Sequence, residues 1–335
     1  MVKLKDIAKE LGVSVSTVSR SLSNSSEIGE ETRNKVKDIA ARLNYIPNYS
    51  ARSLAGGSSK SIGIILPEIS SNYYVQIVEH TGAILKSEGY SFILGISNHN
   101  LNDEIQFLNE FRNKEVDGII IAGEAHEDIV KDLRKMREIY KLPVVLINTF
   151  VSCPECDYIM IDDFHGISSA INYLKEAGHK NIGFIGDEIS TYLRFNFFKN
   201  AIAQTGLIFN ERYIKTGKER FELGGYLRMK DILKEKEMPT AVFASYDNFA
   251  IGAIKAIHEA GLKIPDDISI VGFDNIREAA YLTTPLTTVS TPVKEMCHIS
   301  IKLLLNKIET KDQKLIQHVS LKPELVIRET VKDIK

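Results

Sequence analysis

Five outward positions in one short segment carry the first chemistry this sequence offers. From Val15 to Leu22 the order is Val-Ser-Thr-Val-Ser-Arg-Ser-Leu. Val18 and Leu22 fall four residues apart, on one helical face, and leave Val15, Ser16, Thr17, Ser19 and Arg20 facing outward. Small hydroxyls and one guanidinium on an exposed helix suit a DNA major groove. Arginine can donate two hydrogen bonds to a guanine edge, a contact that discriminates by roughly 1–3 kcal/mol.

The neighbouring sequence predicts the elements that hold this face in place. Leu4, Ile7, Ala8 and Leu11 recur at i, i+3, i+4 and i+7 and predict a preceding helix. Gly12 can take the positive φ that ends it, and Ser14 can cap the next helix. Glu30-Glu31-Thr32 opens a third helix through about Leu43, with Val36, Ile39, Ala40 and Leu43 as its buried stripe. Asn44-Tyr45-Ile46-Pro47-Asn48 breaks it. Asn48 to Ala55 can form two more turns, and Gly56-Gly57-Ser58-Ser59 reads as a flexible linker. A helix that short is marginal alone, so it is expected to order on DNA or on its twin from a second subunit.

From Ser61 the texture changes. Apolar runs at Ile62–Leu66, Phe92–Ile96, Gly118–Ala122, Val144–Ile147, Tyr158–Ile161, Ile182–Ile185, Ala241–Ala244 and Ile268–Phe273 predict short buried strands. Helical patterns at 73–88, 102–115, 164–178, 192–206 and 247–261 lie among them. That alternation means parallel sheets covered by helices, and so many strands divide better into two Rossmann-like lobes than into one sheet. Ligands of such sheets bind at the carboxyl ends of the strands, which a two-lobed cleft brings face to face.

Charge is unevenly placed. The 335 residues carry a net −2, but residues 1–60 hold ten Lys and Arg against six Asp and Glu, a surplus of +4 that leaves −6 for the remainder. A basic head on an acidic body fits a DNA reader with a separate sensor. There is no run of 18 apolar residues and no leader-like start, so a cytoplasmic protein without a membrane segment is expected.

No catalytic constellation emerges. G-x-G-x-x-G, H-E-x-x-H and G-x-S-x-G are absent, and the Gly56–Ser61 stretch lacks the glycine before Lys60 that a phosphate loop needs. Cys153-Pro-Glu-Cys156 has C-x-x-C spacing without a second Cys/His pair, which reads as two reduced thiols. Asp162-Asp163 and Asp266-Asp267 read as capping and loop solvation, and His179 as structural. No metal or cofactor is expected.

The pattern LKDIAKELGVSVSTVSRSLS…ETRNKVKDIAARLNYIPNYSARSL resembles the head of the lactose-repressor/galactose-repressor (LacI/GalR) family of bacterial transcription regulators. Farther along, Lys60-Ser61-Ile62-Gly63-Ile64, Val116-Asp117-Gly118-Ile119-Ile120, Gly178-His179-Lys180-Asn181-Ile182, Val271-Gly272-Phe273-Asp274-Asn275 and Leu286-Thr287-Thr288-Val289 resemble its sensor, built like a periplasmic sugar-binding protein. The resemblance implies a helix-turn-helix domain at 1–47, a hinge helix and linker at 48–60, and an α/β effector and dimerisation domain at 61–335. Its N-lobe would be 61–160 plus 291–319, and its C-lobe 161–290 plus 320–335. It implies that a homodimer reads a roughly palindromic double-stranded operator. Val15, Ser16 and Arg20 would touch bases, and Thr17, Ser19, Asn24, Arg33 and Tyr45 phosphates. Ala51 and Leu54 would belong to the hinge helix, with Leu54 wedged into the minor groove.

The same resemblance implies a small-molecule effector, a sugar or sugar derivative, between the lobes. Asn72, Tyr73 and Tyr74 would offer an aromatic ring, Arg194 a fork of donors, Asp274 an acceptor and Phe221 a second ring. Tyr246 and Asp247 stand beside them, Asp247 equally well placed as an acidic helix cap. Phe197 departs from the family's R-x-x-G-F motif at its Gly position, Asn148-Thr149 replaces a common Asp, and Tyr246 replaces a small or amide residue. Competing readings are a catabolite-control-type regulator with a phosphoprotein corepressor, a transporter's sugar-binding protein, and an α/β enzyme fused to a DNA-binding domain.

Overall fold

The computed structural model describes residues 2–22, 25, 27–45, 58–123, 127–148, 153–311 and 314–335, with main chain alone at 127 and 189–192. The chain divides into two units, Met1–Ser59 and Lys60–Lys335.

In the first unit, α1 (Leu4–Leu11), α2 (Val15–Leu22) and α3 (Glu30–Arg42) enclose a small core of Ile7, Ala8, Val18, Val36 and Ala40. Gly12 has φ 65°, the left-handed conformation that lets the chain turn sharply from α1 into α2. Ser14 Oγ accepts from Thr17 N at 3.0 Å and starts α2 as its sequence predicts. The expected hinge helix, with Ala51 and Leu54, and the contact residue Asn24 lie outside the described residues.

The second unit holds two six-stranded sheets. The first runs in the order β11-β5-β4-β3-β1-β2, built from β1 (Ser61–Leu66), β2 (Ser91–Ile96), β3 (Gly118–Ala122), β4 (Val144–Ile147), β5 (Asp157–Ile161) and β11 (His318–Leu321), all parallel. The second runs β12-β10-β9-β8-β6-β7. It comprises β6 (Ile182–Asp187), β7 (Ile214–Gly217), β8 (Ala241–Ala244), β9 (Ser269–Asp274), β10 (Thr287–Ser290) and β12 (Glu324–Val326), with β12 antiparallel to β10. Helices α4 (Asn72–Ser87) and α11 (Val293–Thr310) pack together on the core of one face of the first sheet. Helices α5 (Leu101–Asn113) and α6 (Val130–Glu138) cover the other face. Around the second sheet, α9 (Phe221–Leu233) and α10 (Asp247–Glu259) share one core, and α7 (Asp163–Glu176) and α8 (Glu188–Thr205) share another.

The chain passes between the sheets three times, at Asp162, at Thr291-Pro292 and at Lys322-Pro323. Lobe edges expected at 160 and 320 fall short of these points, because β5 and β11 stay in register through Ile161 and Leu321. Expected helices also overrun by one or two residues. Gly89, Glu115, Gly178, Gly206 and Gly261, each just past a helix end, take positive φ and stop it. The close crossing of α9 and α10 depends on two glycines: a Cβ on Gly225 would meet Phe249 O, and one on Gly252 would meet Glu222 O, each within about 2 Å.

Cys153 and Cys156 correct the expectation of two separate thiols. Their Cα atoms stand 5.4 Å apart, within disulfide reach, and the structure joins them. His179 has the structural role its turn suggests: buried, it meets Thr240 Oγ1 at 2.9 Å and Lys332 O at 3.1 Å.

Candidate functional site

On the head, Val15, Ser16, Ser19 and Arg20 are exposed on α2 while Val18 and Ser21 are buried beneath them. Arg20 Nη1 donates to Glu27 Oε2 at 2.7 Å, an exposed ion pair. Thr17 is half-buried, its hydroxyl 2.9 Å from Ser14 Oγ. Two expected phosphate contacts also hold the head together. Arg33 Nη2 donates to the carbonyls of Ser25 and Ile28, at 3.2 and 2.8 Å, and ties down the loop before α3. Tyr45 packs on the head's core. The sequence hides both roles, since a cation and a phenol look alike whether they serve loop closure or a phosphate.

In the second unit the strand ends build two charged clusters. The first centres on Arg194, from α8. Its Nε donates to Asp163 Oδ2 at 3.1 Å, Nη1 to Ser245 O at 2.6 Å, and Nη2 to Asp274 Oδ1 at 3.2 Å. The guanidinium lies 4.0 Å over the Phe273 ring. Burial opposes its charge, but Asp274 and Asp163 outweigh burial and raise its pKa. Burial also raises Asp274, to about 6; Arg194 opposes that shift and Asp163 adds to it. Asp274 adopts φ 103°, a conformation strained for a side-chain-bearing residue. The turn is held by Thr291 Oγ1 on the Asp274 carbonyl (3.3 Å) and by Asn275, which takes Arg328 Nη2 on Oδ1 (2.7 Å).

Tyr73 faces this cluster from the other lobe. Its phenol pKa is raised well above the usual value by burial, then by Tyr74, Asp274 and Asp163. Tyr73 is part of the first lobe's core rather than an open stacking platform; Tyr74, half-buried and edge-on to it at 5.2 Å, is the less covered ring. Asn148, after β4, accepts from Ile161 N at 3.3 Å, and Thr149 lies outside the described residues. Phe197 fills the motif's glycine position by packing on Phe164, with ring centroids 5.9 Å apart.

The second cluster spans the lobes. Arg220, just before α9, grips Glu68, just after β1, through Nη1 to Oε2 (2.5 Å) and Nη2 to Oε1 (2.8 Å). Its Nε donates to Asp187 Oδ2 at 3.3 Å. His99 Nε2 stands 3.4 Å from Arg220 Nη1 and 3.8 Å from Glu68 Oε2. Burial pushes Glu68 up, but His99 and Arg220 together lower it overall. Arg220 also lies 4.7 Å over the Phe221 ring, and Phe221 takes φ 55°.

Three expected effector residues have protein partners here. Tyr246 OH donates to Asp187 Oδ2 at 2.6 Å and accepts from Phe221 N at 3.1 Å, so it braces the second cluster. Its pKa is raised by burial and by Asp187. Asp247 is fully buried. Thr288 Oγ1 donates to its Oδ1 at 2.6 Å and Ile276 N to its Oδ2 at 2.8 Å, so it fastens the β9–β10 loops. Asn72 Nδ2 donates to Glu278 Oε2 at 2.9 Å, a second bond between lobes. Asp162 is the helix cap expected, accepting from His165 N at 3.0 Å, but Asp163 turns to Arg194 instead. Glu68, His99, Asp163, Asp187 and Arg220 were not legible as site residues. Asp187, ending β6, was the one the strand-end rule could have found.

Among the described residues no group of three or more His, Cys, Asp or Glu could hold a metal ion, and no helix is long and apolar enough to cross a membrane. Comparison with known proteins gives consistent matches. Residues 3–48 match the family model "Bacterial regulatory proteins, lacI family", and residues 171–331 match "Periplasmic binding protein-like domain". The chain is 35% identical to the HTH-type transcriptional repressor PurR of Proteus mirabilis (strain HI4320), covering 99% of this chain and 98% of that protein. It is 33% identical to catabolite control protein A of Priestia megaterium, covering 94% and 96%. The lac repressor dimer bound to operator and the anti-inducer ONPF superposes with TM-score 0.88 at 25% identity, over 99% of both chains. A LacI family regulator from Enterococcus faecium with bound ribose superposes with TM-score 0.70 at 26% identity, over 82% of this chain and 100% of that one.

Proposed function

Because the chain belongs to the LacI family of DNA-binding transcriptional repressors, we propose that it acts as a homodimer on a palindromic operator and answers to a sugar or sugar derivative between its lobes. The observation that carries the DNA half is α2. Its inner residues are buried in the head's core, while Val15, Ser16, Ser19 and Arg20 remain exposed, with Arg20 held by an exposed pair that a guanine can displace. Ala51 and Leu54 belong to the hinge that would enter the minor groove, and Asn24, Thr17 and Ser19 to the phosphate contacts.

The effector half rests on Arg194 and Asp274. A guanidinium held rigid over Phe273 still has a second N–H on each Nη to offer to hydroxyls, and Asp274 offers acceptor oxygens beside it. Tyr74 and Phe221 supply apolar faces for the ring. The relative solved with ribose favours a sugar. Closure of the lobes on this ligand would change operator affinity by about 5–150-fold, the usual range of allosteric coupling.

The test is selection of bound duplexes from a random pool by the full-length chain, with and without a panel of sugars. An inverted repeat should emerge, and Arg20→Ala should lose it. Enrichment of no inverted repeat, or unchanged retention by Arg20→Ala, would refute the DNA reading; operator retention indifferent to every sugar would refute the effector reading alone.

A further inference from the structure

Building on the effector reading, we infer that the ligand is an amine-bearing polyol, an amino sugar in chemical class, whose ammonium group sits against Asp163. Both cleft arginines already have protein partners on every nitrogen. Arg194 meets Asp163, Ser245 O and Asp274; Arg220 meets Asp187, Glu68 and His99. Each guanidinium is thus set between two carboxylates, and none of the four acids has a side chain more than 12% exposed. Each cluster therefore holds two negative charges against one arginine. The Arg220 cluster has His99 beside it and a Tyr246 hydroxyl on Asp187 to offset the excess. Around Arg194 the ion pairs of Asp163 and Asp274 are with that one guanidinium, and the neighbouring Arg328 is spent on Asn275 and the Leu286 carbonyl.

A second observation singles out Asp163. Its Oδ1 is shut off from solvent and takes no hydrogen bond, although the side chain is only 4% exposed. Ser245 Oγ, on the residue whose carbonyl receives Arg194, is buried and unpartnered as well. Native proteins rarely leave such atoms unpaired, and a bare carboxylate oxygen is among the costliest. Asp163 lies on the cleft side of its lobe: it opens α7 directly after the crossing at Asp162, and Arg194 joins it to Asp274 at the carboxyl end of β9. An ammonium supplies three donors and the missing positive charge, whereas a phosphate brings negative charge to arginines already engaged. The ring hydroxyls would take the remaining N–H groups of Arg194.

The experiment is calorimetric titration of the full-length chain with three matched series: glucose, galactose and mannose, each as the parent sugar, the 2-amino sugar and the 6-phosphate. In the series that binds, the amine should bind at least about tenfold tighter than its parent, with the phosphate weakest, and Asp163→Asn should bring the amine-to-parent ratio toward one. A phosphate or parent that binds as tightly as the amine overturns the inference and leaves the effector site standing. Silence from all nine overturns both. A ligand-free readout accompanies it. Asp163→Asn should raise the melting temperature, since Arg194 keeps Asp274 while a buried surplus charge disappears; a fall would show a purely structural ion pair and overturn the inference.

Discussion

The bond between Glu68 and Arg220 should act as a latch across the lobes, and a double-mutant cycle can measure it. The partners are 12% and 20% exposed and joined by two short hydrogen bonds. Exposed ion pairs contribute about 0–1 kcal/mol, and breaking a fully buried one costs about 3–5 kcal/mol. This intermediate pair should couple by roughly 2 kcal/mol. The single variants should differ. Glu68→Gln leaves Arg220 on Asp187, whereas Arg220→Gln removes the ion-pair partner of Glu68 and of the fully buried Asp187 together. Arg220→Gln should therefore be the more damaging by about 1 kcal/mol or more. Urea unfolding of the two singles and the double gives the coupling directly. Burial works to raise the Glu68 pKa, but His99 and Arg220 prevail and lower it. Its contribution is then present above the ordinary Glu range and lost as pH falls through the lowered value. Additive singles within about 0.3 kcal/mol, or Glu68→Gln as harmful as Arg220→Gln, would refute the latch.

Other consequences can be measured as simply. Glu27→Gln should remove the exposed ion pair that competes for Arg20 and tighten operator binding by about 1.4- to 5-fold, the worth of such a pair, while Arg20→Ala weakens it by about 5- to 150-fold, both by filter binding at fixed salt. Asp274, raised by burial to about 6 amid Arg194, Asp163, Tyr73 and Asp247, holds its proton more tightly folded than unfolded. Its share of stability is present at low pH and lost as pH rises from about 4 to 6, so Asp274→Asn should flatten the melting-temperature profile across that window; an unchanged profile would exclude this source. Gly225→Ala would press a Cβ against the Phe249 main chain and should cost more than about 2 kcal/mol in urea melts, because backbone rather than a movable side chain stands in the way.

The division between what the sequence revealed and what it hid has a physical origin. The head was legible because its order is local: Gly12, Ser14 and the Val18–Leu22 spacing act within a few residues, and the structure places each as expected. The two-lobed α/β architecture was legible for the same reason, since runs such as Gly118–Ala122 are apolar enough to be strands buried on both faces. Strands β7, β10, β11 and β12 were not: they are short, mixed in polarity and at or next to sheet edges, so neither alternation nor an apolar run marks them.

The charged clusters were hidden for a stronger reason. Arg194 pairs with residues 31 and 80 positions away, and Arg220 with one 152 away, on the other lobe. No local pattern encodes such meetings; they exist because the three crossings at Asp162, Thr291-Pro292 and Lys322-Pro323 turn the strand ends of both sheets toward one cleft. Asp162 and Asp163 show how fine the distinction is. One residue apart, the first caps a helix and the second enters the cleft, because successive residues at a helix start point in directions about 100° apart. A carboxylate pair that sequence reads as a single loop feature is split by geometry into a helix cap and a partner of Arg194. The proposed charge of the effector thus rests on the tertiary pairing of Asp163, Arg194 and Asp274, where the family resemblance alone gave only Arg194 and Asp274.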